Sequence, residues 1–258
     1  MPAQPHMRRN ILITGASAGL GEGMARLFAA AGHNLALTAR RLDRLEALRE
    51  ELLESHPEIT VVCHPLDVND HDAVFTVFEK AAADLGGLDR VIVNAGLGKG
   101  ARVGSGRFAA NRQTAETNFV AALAQCEAAM GHFYAKKSGH LVIVSSMSAM
   151  RGMPGAATVY AATKSGIAAL GEGIRSDLLG QSGHDIVVTT LFPGYIESEM
   201  NDKVTRKMPL MVDNETGCRA MVKAIERESA TAIVPPWPWR AIAVFTRNAP
   251  LRLVRRFT

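Results

Sequence analysis

The chain has 258 residues, which at about 150 residues per domain allows one large α/β layer or two small units. Hydrophobic residues make up 47% and charged residues 21%, an ordinary globular balance that excludes disordered, collagenous and disulfide-stapled classes. The net charge of +4 does not mark the whole chain as a binder of polyanions, because Arg240, Arg247, Arg252, Arg255 and Arg256 follow Ser229 with no acid among them and leave the rest near neutrality.

Short apolar runs alternate with longer helical patterns, the signature of βαβ units and a parallel sheet. Residues 10–14 read as the first strand. Leu20, Met24, Leu27, Phe28 and Ala31 then share one helical face, and Gly32 stops that helix. Residues 34–39 are the second strand. Leucines at 42, 45, 48, 52 and 53 make 42–55 an amphipathic helix that Pro57 closes. A third strand at 59–66 leads to a helix capped by Asp70 and running to about Leu85. A fourth strand at 88–94 precedes one long helix over 111–137, a fifth strand at 141–145 and a helix over 159–179. A sixth strand at 186–192 and a seventh around Ile233 and Val234 complete the series. The expected fold is a single doubly wound parallel sheet of Rossmann type, about seven strands with helices on both faces. It occupies 1–234, with a short amphipathic extension at 235–258.

Such sheets bind ligands beyond the carboxyl ends of their strands, where the strand order reverses. Gly15, Ala16, Ser17, Ala18, Gly19, Leu20 and Gly21 follow the first strand and open the first helix. Glycines there permit a tight turn and close approach of backbone amides to a pyrophosphate. The alternative is a turn chosen only for helix–strand packing. About 20 residues on, an acid would hold the ribose 2′-hydroxyl of NAD and an arginine the 2′-phosphate of NADP. The second strand ends in Arg40 and Arg41 with no acid before Asp43, which favours NADP(H) over NAD(H). Otherwise these arginines merely solvate a loop. Asp67 and Val68 end the third strand and Asn94, Ala95 and Gly96 the fourth, on the rim where adenine and ribose would lie. Asp67 could equally be a turn residue.

Tyr160 and Lys164 stand four apart and share a helix face. A neighbouring ammonium stabilises a phenolate and is expected to lower the Tyr160 pKa. Ser145 and Ser146 end the preceding strand. Cys63, Cys126 and Cys218 are an odd, widely spaced trio, read as reduced cytosolic thiols. The eight histidines include no HxxxH or HExxH pair, so no metal site is expected. No signal-peptide core and no apolar run of about 18 residues is found, so a cytoplasmic protein is expected.

These residues resemble the short-chain dehydrogenase/reductases over nearly the whole chain. TGASAGLG matches the family's TGxxxGxG loop, Asn94-Ala95-Gly96 its NAG motif, Tyr160 to Lys164 its YxxxK, and Pro193-Gly194 its PG turn. The resemblance implies Tyr160 as acid/base, Lys164 on the nicotinamide ribose, and Ser146 on the substrate carbonyl. It implies Asn118 on a water linking Lys164 to solvent, and Ile196 and Ser198 near the nicotinamide carboxamide. Ser146 stands fourteen positions before Tyr160, one more than is usual in the family, and Ser148 is the competing assignment. Ser146 is preferred because it lies at the strand end.

The implied activity is an NADP(H)-dependent oxidoreductase interconverting a carbonyl and an alcohol, in the reductive direction. Methionines near the site (Met147, Met150, Met153) and in the segment 197–211 (Met200, Met208, Met211) suit a hydrophobic substrate under a lid, although they could simply pack against the core. A 3-oxoacyl-thioester reductase and a non-catalytic dinucleotide sensor are the alternatives. A homo-dimer or homo-tetramer without nucleic acid is expected. The tail, with Ile242, Phe245, Leu251, Val254 and Phe257 on one side, is read as a cap on its own domain or a neighbouring subunit ahead of a membrane-surface helix.

Overall fold

The predicted apolar runs become parallel strands. The computed structural model describes residues 8–199 and 210–255. Among these, β1 (Asn10–Thr14), β2 (Asn34–Ala39), β3 (Val61–Pro65), β4 (Arg90–Val93), β5 (Ser138–Val144), β6 (Asp185–Pro193) and β7 (Thr231–Val234) form one sheet. Its order is β3-β2-β1-β4-β5-β6-β7, and every neighbouring pair is parallel. The order reverses between β1 and β4, which fixes where a crevice opens.

The first helices are α1 (Gly19–Ala30), α2 (Leu42–Ser55), α3 (His71–Leu85), α4 (Phe108–Ala115) and α5 (Ala121–Lys136). They are followed by α6 (Ala157–Leu179), α7 (Asn214–Glu226), α8 (Trp239–Asn248) and α9 (Leu251–Val254). Strand side chains alternate between faces, so Ile11 and Ile13 enter one layer and Leu12 the other. The first layer packs against Met24 and Phe28 of α1, Leu45 and Leu48 of α2, and Met221 and Ile225 of α7. The second packs against Val74 and Phe78 of α3, Cys126 and Phe133 of α5, and Ile167 of α6. Each such buried side chain contributes about 1.5–3 kcal/mol relative to exposure. The Asp70 cap forms as expected, its carboxylate accepting from Ala73 N at 3.1 Å.

Several boundaries differ from the sequence reading by a few residues, and three of them have a visible cause. The helix expected over 111–137 is α4 and α5 joined by a π-helical turn at Glu116–Val120. That turn carries Asn118, and such turns often mark functional positions. Strand β3 starts at Val61 because Ile59 N bonds to His56 O and closes a turn after α2. Strand β4 ends at Val93 because the Asn94 and Ala95 N–H groups bond to the Thr14 hydroxyl, at 3.0 and 3.1 Å, rather than to a neighbouring strand.

The opposite end of the sheet carries buried charge. Arg90 opens β4 fully buried, donates from Nε to His140 Nδ1 at 3.0 Å and pairs with Glu226. Arginine only donates, so His140 is held neutral with its proton on Nε2, 2.8 Å from Thr189 Oγ1. Burial, then Arg90 and Arg8, hold the His140 pKa well below its ordinary 6.5. Arg8 closes the cluster on Glu228 at 2.9 Å and Asp185 at 3.0 Å.

The tail folds back on the sheet. Trp239, Ala243 and Val254 are buried, whereas Phe245 and Leu251 of the predicted apolar stripe are exposed. Ile242 of that stripe is half-buried and Val254 fully buried, so the stripe is inward only in part, and Pro250 separates α8 from α9.

Candidate active site

The crevice at the order reversal is built by the loops after β1 and β4. Thr14 Oγ1 accepts from Asn94 N and Ala95 N and donates to Ile92 O at 3.3 Å. Asn94 Nδ2 returns a bond to Thr14 O at 2.9 Å. Gly15 has φ +67°, and a Cβ there would sit 2.9 Å from Ala95 Cα. The two loops therefore meet backbone to backbone, and only glycine fits. Ala18 precedes α1 without a side-chain cap, which leaves the amides of that first turn available to an anion. An uncapped helix start beside a close-packed glycine turn fits a pyrophosphate. Gly19, Leu20 and Gly21 form that start, with Ser17 beside it.

The two arginines differ. Arg41 donates from Nε to Ser17 Oγ at 3.2 Å, which ties it to the glycine loop. Arg40 is exposed and makes no hydrogen bond among the described residues. Asp67 takes the turn role allowed for it, accepting from Asn69 N at 3.0 Å and Asn69 Nδ2 at 2.9 Å. The Val68 side chain is buried in the core beside Val74 and Phe78.

Helix α6 carries Tyr160 and Lys164 past the end of β5. Ser145 Oγ donates to Lys164 O at 2.7 Å and pins the helix to that strand. Lys164 is buried, donates from Nζ to Val144 O at 2.8 Å and lies 5.9 Å from the Tyr160 ring centroid. Ser146 lies close enough to the Tyr160 side chain to oppose a rise in its pKa, and its Oγ accepts from Ser148 N at 3.1 Å. Of the two candidate serines, Ser146 is the one whose proximity affects Tyr160, while Ser148 sits in the 3₁₀ turn Met147–Met150 that Ser146 caps.

The expected lowering of the Tyr160 pKa is corrected by this geometry. Burial raises it above 10, the nearby Ser146 hydroxyl opposes that rise, and Tyr195 adds to it. Burial also lowers Lys164 to about 8. With the ammonium directed at Val144 O, desolvation outweighs any attraction to a phenolate in the ligand-free protein.

Asn118 is held by the π-helical turn. Its Oδ1 accepts from Leu97 N at 2.7 Å, and its Nδ2 donates to Leu97 O at 2.8 Å and Thr163 Oγ1 at 3.4 Å. It thus fastens the chain after Gly96 to α6. A Cβ on Gly96 would lie 3.2 Å from Asn118 Oδ1 and 3.6 Å from Lys164 Nζ, so this glycine backs directly onto the pair.

Pro193 ends β6, and Gly194 N bonds to Val234 O at 2.9 Å. The Trp239 indole lies on Gly194, where a Cβ would come within 2.2 Å of the ring, and meets Tyr195 edge to face at 5.2 Å. Ile196 is buried and bridged to Val212. Ser198 lies beside the glycine loop, its Cβ 3.2 Å from where a Gly19 Cβ would be. Met200, Val204 and Met208 of the predicted lid lie outside the described residues. Sequence reasoning missed the Thr14 hydroxyl, Tyr195, Trp239, Arg44 and Glu199.

A family model described as short chain dehydrogenase matches residues 9–209. The chain belongs to the short-chain dehydrogenase family. It is similar to an uncharacterized oxidoreductase of Mycobacterium tuberculosis, at 53% identity over 97% of each chain. Among solved structures it resembles an alcohol dehydrogenase of Thermococcus sibiricus complexed with 5-hydroxy-NADP, at TM-score 0.75 and 25% identity over 87% of this chain and 95% of that one. It also shares its fold with a short-chain dehydrogenase of Burkholderia phymatum in complex with NAD, at TM-score 0.81 and 18% identity over 93% and 92% of the two chains. This short-chain dehydrogenase is therefore an oxidoreductase. No helix among its described residues is long and apolar enough to cross a membrane.

Proposed function

We propose that this dehydrogenase uses NADP(H) to interconvert a carbonyl and an alcohol on a hydrophobic small molecule, chiefly as a reductase. The observation that carries the reading is the gathering of Tyr160 with buried Lys164, 5.9 Å from its ring, and with Ser146 beside it at the end of β5. The cofactor, when bound, supplies the hydride. In this reading the glycine-loop amides from Gly15 to Gly21 hold its pyrophosphate, Arg41 its 2′-phosphate, and Lys164 its nicotinamide ribose. Asn94, Ala95 and Gly96 line the ribose side, and Gly194, Ile196 and Ser198 the nicotinamide side.

The side chains divide the proton work. Tyr160 donates its Oη proton to the substrate oxygen, and Ser146 Oγ donates a hydrogen bond to the same oxygen as negative charge develops there. The Lys164 ammonium stabilises the phenolate left behind. A Tyr160 pKa above 10 suits an acid, because the proton to be given is in place at neutral pH. Support for NADP(H) is the bond from Arg41 to Ser17 and the absence of an acid at the end of β2. The Thermococcus relative carries a modified NADP and the Burkholderia one NAD.

The test is steady-state oxidation of NADPH and NADH over a panel of hydrophobic ketones, aldehydes and 3-oxoacyl thioesters. The reading expects turnover with NADPH on apolar carbonyls. Turnover confined to NAD-linked alcohol oxidation would overturn both cofactor and direction.

A further inference from the structure

We propose that Glu199 is a built-in competitor for the 2′-phosphate, and that Arg41 and Arg44, rather than Arg40 and Arg41, form the receptor it occupies. The inference rests on the NADP(H) reading above and deepens it.

Arg41 precedes α2 and Arg44 lies in its first turn, three residues on, so the two guanidiniums stand near the same end of that helix. Both converge on one carboxylate. Arg41 Nη2 meets Glu199 Oε2 at 3.0 Å, its Nη1 meets Oε1 at 3.5 Å, and Arg44 Nη1 pairs with Oε1. The Arg44 and then the Arg41 hydrogen bonds hold Glu199 below the usual carboxylate range, so it stays an anion at every working pH. The start of helix α2 has no side-chain cap, so its amides favour an anion, an effect that Asp43 in the same turn partly offsets. Arg41 is also tied to Ser17 of the glycine loop. The anion-binding group is thus coupled to the dinucleotide crevice and already filled by an anion from the chain itself.

The carboxylate and a phosphate monoester need the same N–H donors. A 2′-phosphate reaching Arg41 must displace Glu199, and the strength of the Glu199 contacts is subtracted from NADPH affinity. NADH carries a neutral 2′-hydroxyl and requires no displacement. A carboxylate beside that hydroxyl can even accept from it, the part an acid at the end of β2 would play. Glu199 therefore sets the ratio of NADPH to NADH affinity. Exposed ion pairs are individually weak, so removing the Glu199 charge is expected to raise NADPH affinity about fivefold.

The experiment is direct binding of NADPH and of NADH, followed by nicotinamide fluorescence at fixed ionic strength, for wild type, Glu199→Gln and Arg44→Met/Glu199→Gln. Support is a NADPH/NADH affinity ratio that rises about fivefold in Glu199→Gln and falls back when Arg44 is also replaced. A wild type that prefers NADPH, with a ratio unmoved or lowered in Glu199→Gln, overturns the inference and leaves the NADP(H) reading standing. A wild type that prefers NADH, with a ratio that rises in Glu199→Gln, overturns that reading and supports Glu199 as the block. A wild type that prefers NADH with no change overturns both. Glu199 is half exposed, and the glutamine keeps its shape, so folding is not at issue.

Discussion

Replacing Trp239 with alanine tests whether the carboxyl-terminal helices belong to the working unit. Trp239 is 5% exposed, lies on Gly194 and meets Tyr195 edge to face. Truncating a buried tryptophan costs about 3–5 kcal/mol. In a chain of this size each kcal/mol moves Tm by about 2–4 °C, so Trp239→Ala should melt roughly 6–20 °C lower. The indole Nε1 is buried and bonds to no group among the described residues, an omission that costs about 1–3 kcal/mol. Trp239→Phe removes that N–H while keeping an edge against Tyr195, so its loss should stay under about 1.5 kcal/mol. Gly194 rests on the same indole, so NADPH affinity should weaken in the alanine variant and be nearly kept in the phenylalanine one. Thermal unfolding and fluorescence titration read the two effects. A Trp239→Ala protein melting within about 2 °C of wild type would refute the claim that α8 is integral to the fold.

The His140 cluster makes stability depend on acid. His140 is lowered in the folded state by burial, Arg90 and Arg8, with Glu228 at 3.7 Å opposing them, so below about pH 6.5 the unfolded chain takes up a proton that the folded one refuses. The urea midpoint should fall from pH 7 to pH 5, with a shallower slope in His140→Gln; an unchanged slope contradicts the neutral-histidine assignment. Lys164 at about 8 predicts carbonyl reduction that is flat up to about pH 8 and declines above it as the ammonium is lost; rates that climb through pH 8 contradict this. Burial pushes the Cys63 thiol to about 11 and Cys126 and Cys218 to about 12. Native protein should therefore react slowly with a disulfide reagent at pH 8, and rapid labelling of three thiols would be the contrary result.

The sheet was legible because buried parallel strands are continuous apolar runs, and the meeting of the loops after β1 and β4 was legible because each follows such a run. Less visible was anything decided by contacts distant in sequence. The π-helical turn at Asn118 leaves no trace in periodicity, because the apolar face resumes after it; the bonds of Asn118 to Leu97, made across the crevice, accompany it. Arg90 opens a core strand and would be read as a surface charge without Glu226, which lies 136 residues away. Arg44 looks like a solvent residue on an amphipathic helix until Glu199 is brought against it. The pKa of Tyr160 was misjudged for the same reason. Spacing showed the neighbouring ammonium but not the desolvation that outweighs it.

The central claim is that Tyr160 is the proton donor in an NADPH-dependent carbonyl reduction. Its most direct test is single-turnover NADPH oxidation by wild type and Tyr160→Phe with a hydrophobic ketone or aldehyde, alongside the NADPH dissociation constant of each protein. The account predicts a rate lowered by about 10²–10⁴-fold in the variant with NADPH affinity within about twofold of wild type. A Tyr160→Phe protein that still turns over at near wild-type rate would contradict it, as would a wild type that binds NADPH and reduces no carbonyl in the panel.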